Sequence, residues 1–194
     1  MPQRIMIVQG HPDSKGGHFC HALADAYGES ARASGHAVET IDVATCDFSI
    51  LRTKVEFDTG PLNQDIKAAQ ETFLWADHLV VIYPLWLGTM PALLKGFFEQ
   101  VLRPDFGFSL TPEGRWKKRL KGRSARVIIT MGMPALAYRW YFGAHSLRNL
   151  KRNILGFCGI GPIRASLVGM VESKNPRGRE RWLARMGKYG TRGN

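Results

Sequence analysis

The chain has 194 residues, 44% of them hydrophobic, with 27 Lys and Arg against 16 Asp and Glu and a formal net charge of +11. That is material for one ordinary domain with a filled core, and with no apolar run near the ~20 residues of a membrane span and no leader-like start it predicts a soluble, cytoplasmic protein. Cys20, Cys46 and Cys158, odd in number and in no C-x-x-C pair, argue against a disulfide framework or a zinc ribbon.

Residues 4–8 are a short apolar run that reads as a strand, ending at Gln9-Gly10. After a polar loop, residues 18–34 carry Phe19, Ala22, Leu23, Ala26 and Tyr27 at helical spacing, and Gly35 stops that helix. Residues 37–43 alternate as a second strand. Residues 44–63 lack a period and contain Gly60-Pro61, which predicts a loop. A helix follows over 63–75, with Ile66, Ala69, Gln70, Phe73 and Leu74 on one side. Residues 78–83 are continuously apolar, as in a strand covered on both faces. Residues 84–91 form a loop, and a helix over 92–102 is entered just after Pro91.

Residues 103–123 are basic and punctuated by Gly and Pro. A strand over 125–130 leads to Met131-Gly132-Met133-Pro134, a long helix covers 136–155, and residues 156–162 break it. A last strand over 163–168 and a basic helix over 177–189 complete the pattern. Strands alternating with helices predict a doubly wound α/β domain with a five-stranded parallel sheet.

The charge is uneven along this order. Residues 1–113 hold 8 Lys and Arg against 14 Asp and Glu, a net of −6, whereas residues 114–194 hold 19 against 2, a net of +17. A solvated basic surface, attraction of an anionic ligand such as a nucleotide, and contact with nucleic acid through residues 116–119 or 179–185 or with an acidic partner are all compatible with it.

Ligands of such sheets bind beyond the carboxyl ends of the strands, so the loops after the first, third and fourth parallel strands are the candidates. The first, Gly-His-Pro-Asp-Ser-Lys-Gly-Gly over 10–17, opens a helix whose first N–H groups favour a phosphate. It contains no G-x-G-x-x-G, and the P-loop pattern fails because His18 follows Gly16-Gly17. His11, Ser14 and His18 are the donors there, with charge from Lys15. The spacing of His18, Cys20 and His21 cannot bring all three to one helix face, so no metal site is expected.

The second loop and the helix after it read Tyr-Pro-Leu-Trp-Leu-Gly-Thr-Met-Pro-Ala-Leu-Leu-Lys-Gly-Phe-Phe-Glu-Gln-Val over 83–101. This segment resembles the flavodoxin-like NAD(P)H:quinone oxidoreductase family at Pro84, Leu85, Trp86, Pro91, Ala92, Leu94, Lys95, Gly96, Phe98, Glu99 and Val101. Phe106-Gly107-Phe108 is similar to the family's follow-on, with glycine where alanine is usual. His11, Ser14 and Phe19 match its first loop. Thr130, Met131 and Gly132 occupy the place of a Thr-Thr-Gly-Gly-like turn, although Met131 and Met133 depart from it.

The resemblance implies a flavodoxin-like three-layer αβα sandwich, a single domain over 1–194, acting as an NAD(P)H dehydrogenase (quinone). Hydride would pass from NAD(P)H through bound flavin to a quinone or similar acceptor. The flavin is expected to be FMN, with FAD the alternative, because Cys20 stands where an asparagine is common and Lys15-Gly16-Gly17 lengthens the loop. Pro84, Leu85, Trp86, Leu87 and Gly88 would hold the flavin ring through backbone amides and the Trp86 wall. The resemblance pairs Tyr138 with His145 at the charge of the reduced flavin, with Tyr141 a competitor for the tyrosine. Lys95 and Glu99, i and i+4, read as a simple ion pair. A homodimer is implied, its partner aromatics drawn from Phe106 and Phe108 or from Trp140, Tyr141 and Phe142. Other readings are a non-catalytic electron-carrying flavodoxin, an accessory flavoprotein of an ion transporter, and a basic nucleic-acid-binding protein; nucleic acid is the less expected partner.

Overall fold

The computed structural model describes residues 1–173 and 176–194. In chain order its elements are β1 (Arg4–Gln9), α1 (Phe19–Ala33), β2 (Ala37–Asp42), α2 (Lys54–Thr59), α3 (Gln64–Trp75), β3 (His78–Pro84), α4 (Ala92–Val101), β4 (Phe108–Leu110), β5 (Trp116–Lys118), β6 (Ser124–Thr130), α5 (His145–Asn149), α6 (Gly156–Cys158), β7 (Ile163–Val168) and α7 (Pro176–Arg192), with π-helical turns at Ala137–Tyr141 and Leu150–Leu155. Five strands form a parallel sheet in the order β2-β1-β3-β6-β7. The chain leaves β1 outward to β2 and returns to β3 on the other side, so the strand order reverses between β1 and β3. A crevice opens at such a point beyond the carboxyl ends, here between Gln9 and Pro84.

The sheet is covered on both faces, which is why its central strands are apolar without alternation. Ile5, Ile7, Val80, Ile82 and Ile128 face Leu23 and Tyr27 of α1 and Met186 of α7. Met6, Val8, Leu79, Val81, Val127 and Ile129 face α3, α4 and the 145–158 segment through Ile66, Phe73, Leu94, Phe97, Leu150 and Leu155. Each such side chain contributes about 1.5–3 kcal/mol on full burial.

Three segments differ from the sequence expectation. The 44–63 stretch is not all loop: Thr53 Oγ1 accepts from the Glu56 N–H at 3.1 Å and Glu56 Oε2 from the Arg52 N–H at 2.8 Å, a capping arrangement that starts α2. The basic 103–123 segment folds into an antiparallel β4–β5 hairpin. Its Phe108 packs against Trp116 and Phe157, with ring centroids 5.5 and 4.9 Å away. The 136–155 helix is broken at Gly143 and Ala144, whose φ values of 64° and 49° are left-handed, and π-helical turns replace regular helix on both sides of α5.

His78 opens β3 with 2% exposure, Nδ1 lying 2.7 Å from Ser124 Oγ and Nε2 buried without a protein partner. Burial, with Arg126, Arg164 and His36 nearby, pushes its pKa down to about 4 from 6.5. The unfolded chain therefore takes up this proton first, and stability is lost as pH falls from about 6.5 to about 4, by on the order of 3 kcal/mol. Urea midpoints at about pH 7 and about pH 4.5 are expected to fall further apart in the wild type than in His78→Gln; equal shifts would contradict a neutral buried imidazole.

Candidate active site

The loop after β1 is fastened at its root and shaped by its own side chains. The Gly10 N–H donates to the Ile82 carbonyl at 2.7 Å, and a Cβ on Gly10 would lie 2.6 Å from Leu94 Cδ2 and 3.0 Å from the Ile82 carbonyl oxygen, so a larger residue would have to displace Leu94. Gln9 Oε1 accepts from the His11 N–H, and His11 Nδ1 accepts from the Asp13 N–H. His18 Nε2 donates to Asp13 Oδ2 at 2.8 Å, and that bond leads the causes that hold the Asp13 carboxyl below its usual range. Gly16 and Gly17, at φ 73° and 76°, turn the chain into α1. The His11 and His18 rings stack with centroids 3.8 Å apart, and the His21 ring lies 5.4 and 5.7 Å from them. Burial, aided by these two neighbours, pushes the His11 pKa down. Cys20 points elsewhere: its Sγ lies 3.1 Å from Thr130 Oγ1, and burial pushes the thiol up to about 11, leaving it neutral.

In the loop after β3, the Leu85 N–H donates to the Thr130 carbonyl, while Trp86 and Thr89 exchange both backbone hydrogen bonds around Leu87 and Gly88. This two-residue turn needs positive φ at both central positions, and Leu87 and Gly88 have 47° and 81°. The N–H groups of Leu85 and Trp86 are thus spent inside the protein, whereas those of Leu87 and Gly88 have no internal backbone acceptor among the described residues. Trp86 is half-exposed, its ring edge-on to His11 at 6.1 Å. Leu87 is fully exposed in a conformation that leucine disfavours. Leu87→Asn is therefore expected to raise stability by about 0.5–1 kcal/mol in urea melts; a loss would show that Leu87 packs against something in solution.

Beyond β6, Met131 is buried in the core, its N–H donating to Val168 and its carbonyl accepting from Val171, so this residue supports the loop instead of facing a ligand. Gly132 is exposed, and a Cβ there would lie 3.3 Å from Glu172 Oε1.

These loops enclose a cleft of 450 Å³ lined by His11, Gly17, His18, Phe19, Cys20, Ala22, Pro84, Thr130, Val171, Glu172 and Arg179. His11, His18, Phe19, Pro84 and Thr130 are brought together as the sequence suggested. Ser14 stays on the exposed loop crest outside the lining. Glu172 and Arg179 were not legible as cleft residues. Arg179 donates to the Val171 carbonyl at 2.8 Å and sits 5.7 Å over the Phe19 ring. The Tyr138–His145 pair implied by the resemblance stands apart from this lining. Tyr138 is 1% exposed and its hydroxyl accepts from the Leu147 N–H at 3.1 Å, which makes it a prop for the start of α5. His145 is exposed, resting on Gly143, and neither residue lines the cleft. Tyr141 is exposed too, its ring 4.9 Å from that of Phe142. Lys95 and Glu99 form the expected ion pair.

A family model described as Flavodoxin_2, flavodoxin-like fold, matches residues 3–189. The chain belongs to the Flavodoxin_2 family. It is 26% identical over 179 residues to an uncharacterized NAD(P)H oxidoreductase of Haemophilus influenzae, covering 90% of this chain and 88% of that one. Over 128 residues it is 33% identical to the FMN-dependent NADH:quinone oxidoreductase of Ruegeria pomeroyi, covering 58% and 63%. Among solved structures, the NAD(P)H:quinone oxidoreductase of Methanothermobacter marburgensis superposes over the whole of both chains with a TM-score of 0.83 at 24% identity, which shows the shared fold. Flavodoxin_2 membership accounts for the sheet order and for a crevice placed between β1 and β3.

Proposed function

We propose that this Flavodoxin_2 chain is a flavin-dependent NAD(P)H oxidoreductase that delivers reducing equivalents to a quinone or similar acceptor, with FMN as its flavin. The observation that carries the reading is the cleft at the strand-order reversal, where the start of α1 and the end of β3 meet, with the Trp86 turn outside its lining and the Trp86 ring edge-on to His11. The relatives named as an NAD(P)H oxidoreductase and as an FMN-dependent NADH:quinone oxidoreductase support it.

The residues present fit FMN. The 450 Å³ cleft lies within the ~300–1,000 Å³ common for such ligands. The first-turn N–H groups of Phe19 and Cys20 point out of α1 without intrahelical acceptors, and with His18 and Arg179 they would hold a phosphate. Buried nitrogens without a protein partner, Gln9 Nε2 and both of His21, underlie the same loop. Trp86 would wall the ring, with the Leu87 and Gly88 amides free for its polar edge. When bound, the flavin supplies the two-electron chemistry. The protein's part is to place it, exclude water with Phe19, Pro84 and Val171, and keep Cys20 neutral against Thr130. His11, with Nδ1 accepting from Asp13, presents Nε2–H. His145, propped through Leu147 by Tyr138, is the member of the expected pair left exposed to reach a reduced ring.

We also propose a homodimer in the cytoplasm. Phe106 and Phe108 pack against rings of their own chain, Phe106 against Phe73 and Phe108 against Phe157, which favours the other aromatic group for the partner's site. Trp140, Tyr141 and Phe142 stand exposed and remain for that role.

The test is an absorbance spectrum after incubation with FMN and desalting, repeated anaerobically with NADH or NADPH. Retained bands near roughly 370 and 450 nm that bleach on addition are expected. Retained FMN that neither nucleotide bleaches would overturn the reading.

A further inference from the structure

The second half of the chain holds 19 Lys and Arg and two carboxylates. Each ion pair among the described residues, Arg4–Asp77, His18–Asp13, Lys54–Asp58 and Lys95–Glu99, joins residues of the first half. No cation of the second half takes part in an ion pair among the described residues, and a subset of those cations lies together around α7 and the edge strand β7.

β7 is an edge strand, and beside it a groove of 590 Å³ runs to the 135–151 segment and α7. Its charged lining is Arg139, Arg148, Lys151 and Arg185, with no carboxylate. A second groove of 520 Å³ shares Trp182 and Arg185 with the first and adds Arg181 and Lys188. Along α7, Arg177, Arg181, Arg185, Lys188 and Arg192 recur every three or four residues and all are exposed, which makes one basic stripe along the helix. Two adjoining grooves exceed what one small anion needs; the surface suits an extended array of negative charge.

We propose that this face, the α7 stripe with the grooves on either side of Trp182, docks on an anionic lipid surface. Charge complementarity supplies the attraction, since each cation held near such a leaflet tightens binding by about fivefold. Apolar side chains choose a bilayer over other polyanions. Leu136, exposed in the first groove, and Met170, exposed in a third cleft that Trp182 also lines, stand among the cations. A sugar-phosphate backbone offers them nothing, whereas a headgroup layer has acyl chains just beneath it. The purpose of docking rests on the proposed function, because a lipophilic quinone resides in the membrane; the docking itself does not.

Cosedimentation of the full chain, with and without FMN, is the test. The vesicles are of phosphatidylcholine alone or with about one-third phosphatidylglycerol. Binding is expected only to the anionic vesicles, weakening steeply with added salt, and falling by at least a hundredfold in Arg181→Glu/Arg185→Glu/Lys188→Glu. Arg148→Glu/Lys151→Glu, on the opposite wall, is expected to weaken it in the same direction, which keeps the test independent of how α7 tolerates substitution. No binding at low salt, unchanged binding by both variants, or displacement from vesicles by duplex DNA would overturn the proposal, the last assigning the face to nucleic acid. Reduction of FMN by NAD(P)H in free solution reports on the proposed function alone, so the two failures are distinguishable.

Discussion

Gly190→Ala is expected to destabilise the protein by about 2 kcal/mol or more and to weaken FMN retention with it. A Cβ at this position in α7 would stand 2.1 Å from the Tyr27 carbonyl oxygen and 3.1 Å from the Ala31 nitrogen of α1, both backbone atoms that cannot rotate away. The helices must separate, and forced overpacking of this kind commonly costs about 1–3 kcal/mol. Alanine returns up to ~1 kcal/mol through helix propensity, so the net sign depends on what the methyl meets. Gly187→Ala is the control. Its Cβ would meet Ser30 Oγ at 3.0 Å, a side chain free to turn, and that variant is expected near neutral. Because α1 and α7 also carry Phe19 and Arg179 of the cleft, their separation would open the site wall. Equal urea midpoints for Gly190→Ala and wild type would show that the α1–α7 contact is looser than this geometry.

What was legible in the sequence follows from how far each signal reaches. The parallel strands announced themselves because burial on both faces forces continuous apolar runs, as in residues 78–83, and the first loop announced itself because a glycine-rich turn before a helix has few other uses. Short-range chemistry that went unread was still present: Thr53 and Glu56 carry the capping spacing that starts α2. The broken helix was hidden because Leu136, Leu147, Leu150 and Leu155 keep an apolar rhythm across Gly143 and Ala144, and only the left-handed backbone there breaks it.

The cleft shows the same limit more sharply. His11, His18 and Pro84 belong to loops at adjacent strand ends, so topology alone joins them. Glu172 and Arg179 reach the cleft only because β7 and α7 close over α1, a contact between residues more than 150 positions apart, for which no local pattern exists. The placement of Tyr138 was hidden for a related reason. An aromatic residue on a helix-like segment is equally suited to a ligand and to a core, and the hydrogen bond that holds its hydroxyl comes from Leu147 across a turn the sequence did not reveal.

Removing the His18 imidazole is expected to cost more FMN affinity than any other single change in the first loop. Asp13 brings a carboxylate to the start of α1, where the helix dipole and free N–H groups would otherwise welcome only the flavin phosphate. His18 Nε2 occupies that carboxylate at 2.8 Å, and its ring stacks on His11. His18→Ala leaves Asp13 to compete for the same donors, and because this pair is solvent-exposed the expected loss is about fivefold or less in Kd. Asp13→Asn removes the competitor and is expected to hold or raise affinity. In that background His18→Ala should cost markedly less, because the two side chains act through one contact. The pH profile carries the same sign. His11, its pKa pushed down by burial and by its histidine neighbours, is neutral near pH 7 and gains a proton more readily once a phosphate is near. FMN binding, followed by quenching of flavin fluorescence, should therefore tighten as pH falls from neutral toward the lowered His11 pKa. An unchanged Kd in His18→Ala would place the phosphate away from this loop and remove the first turn of α1 from the site.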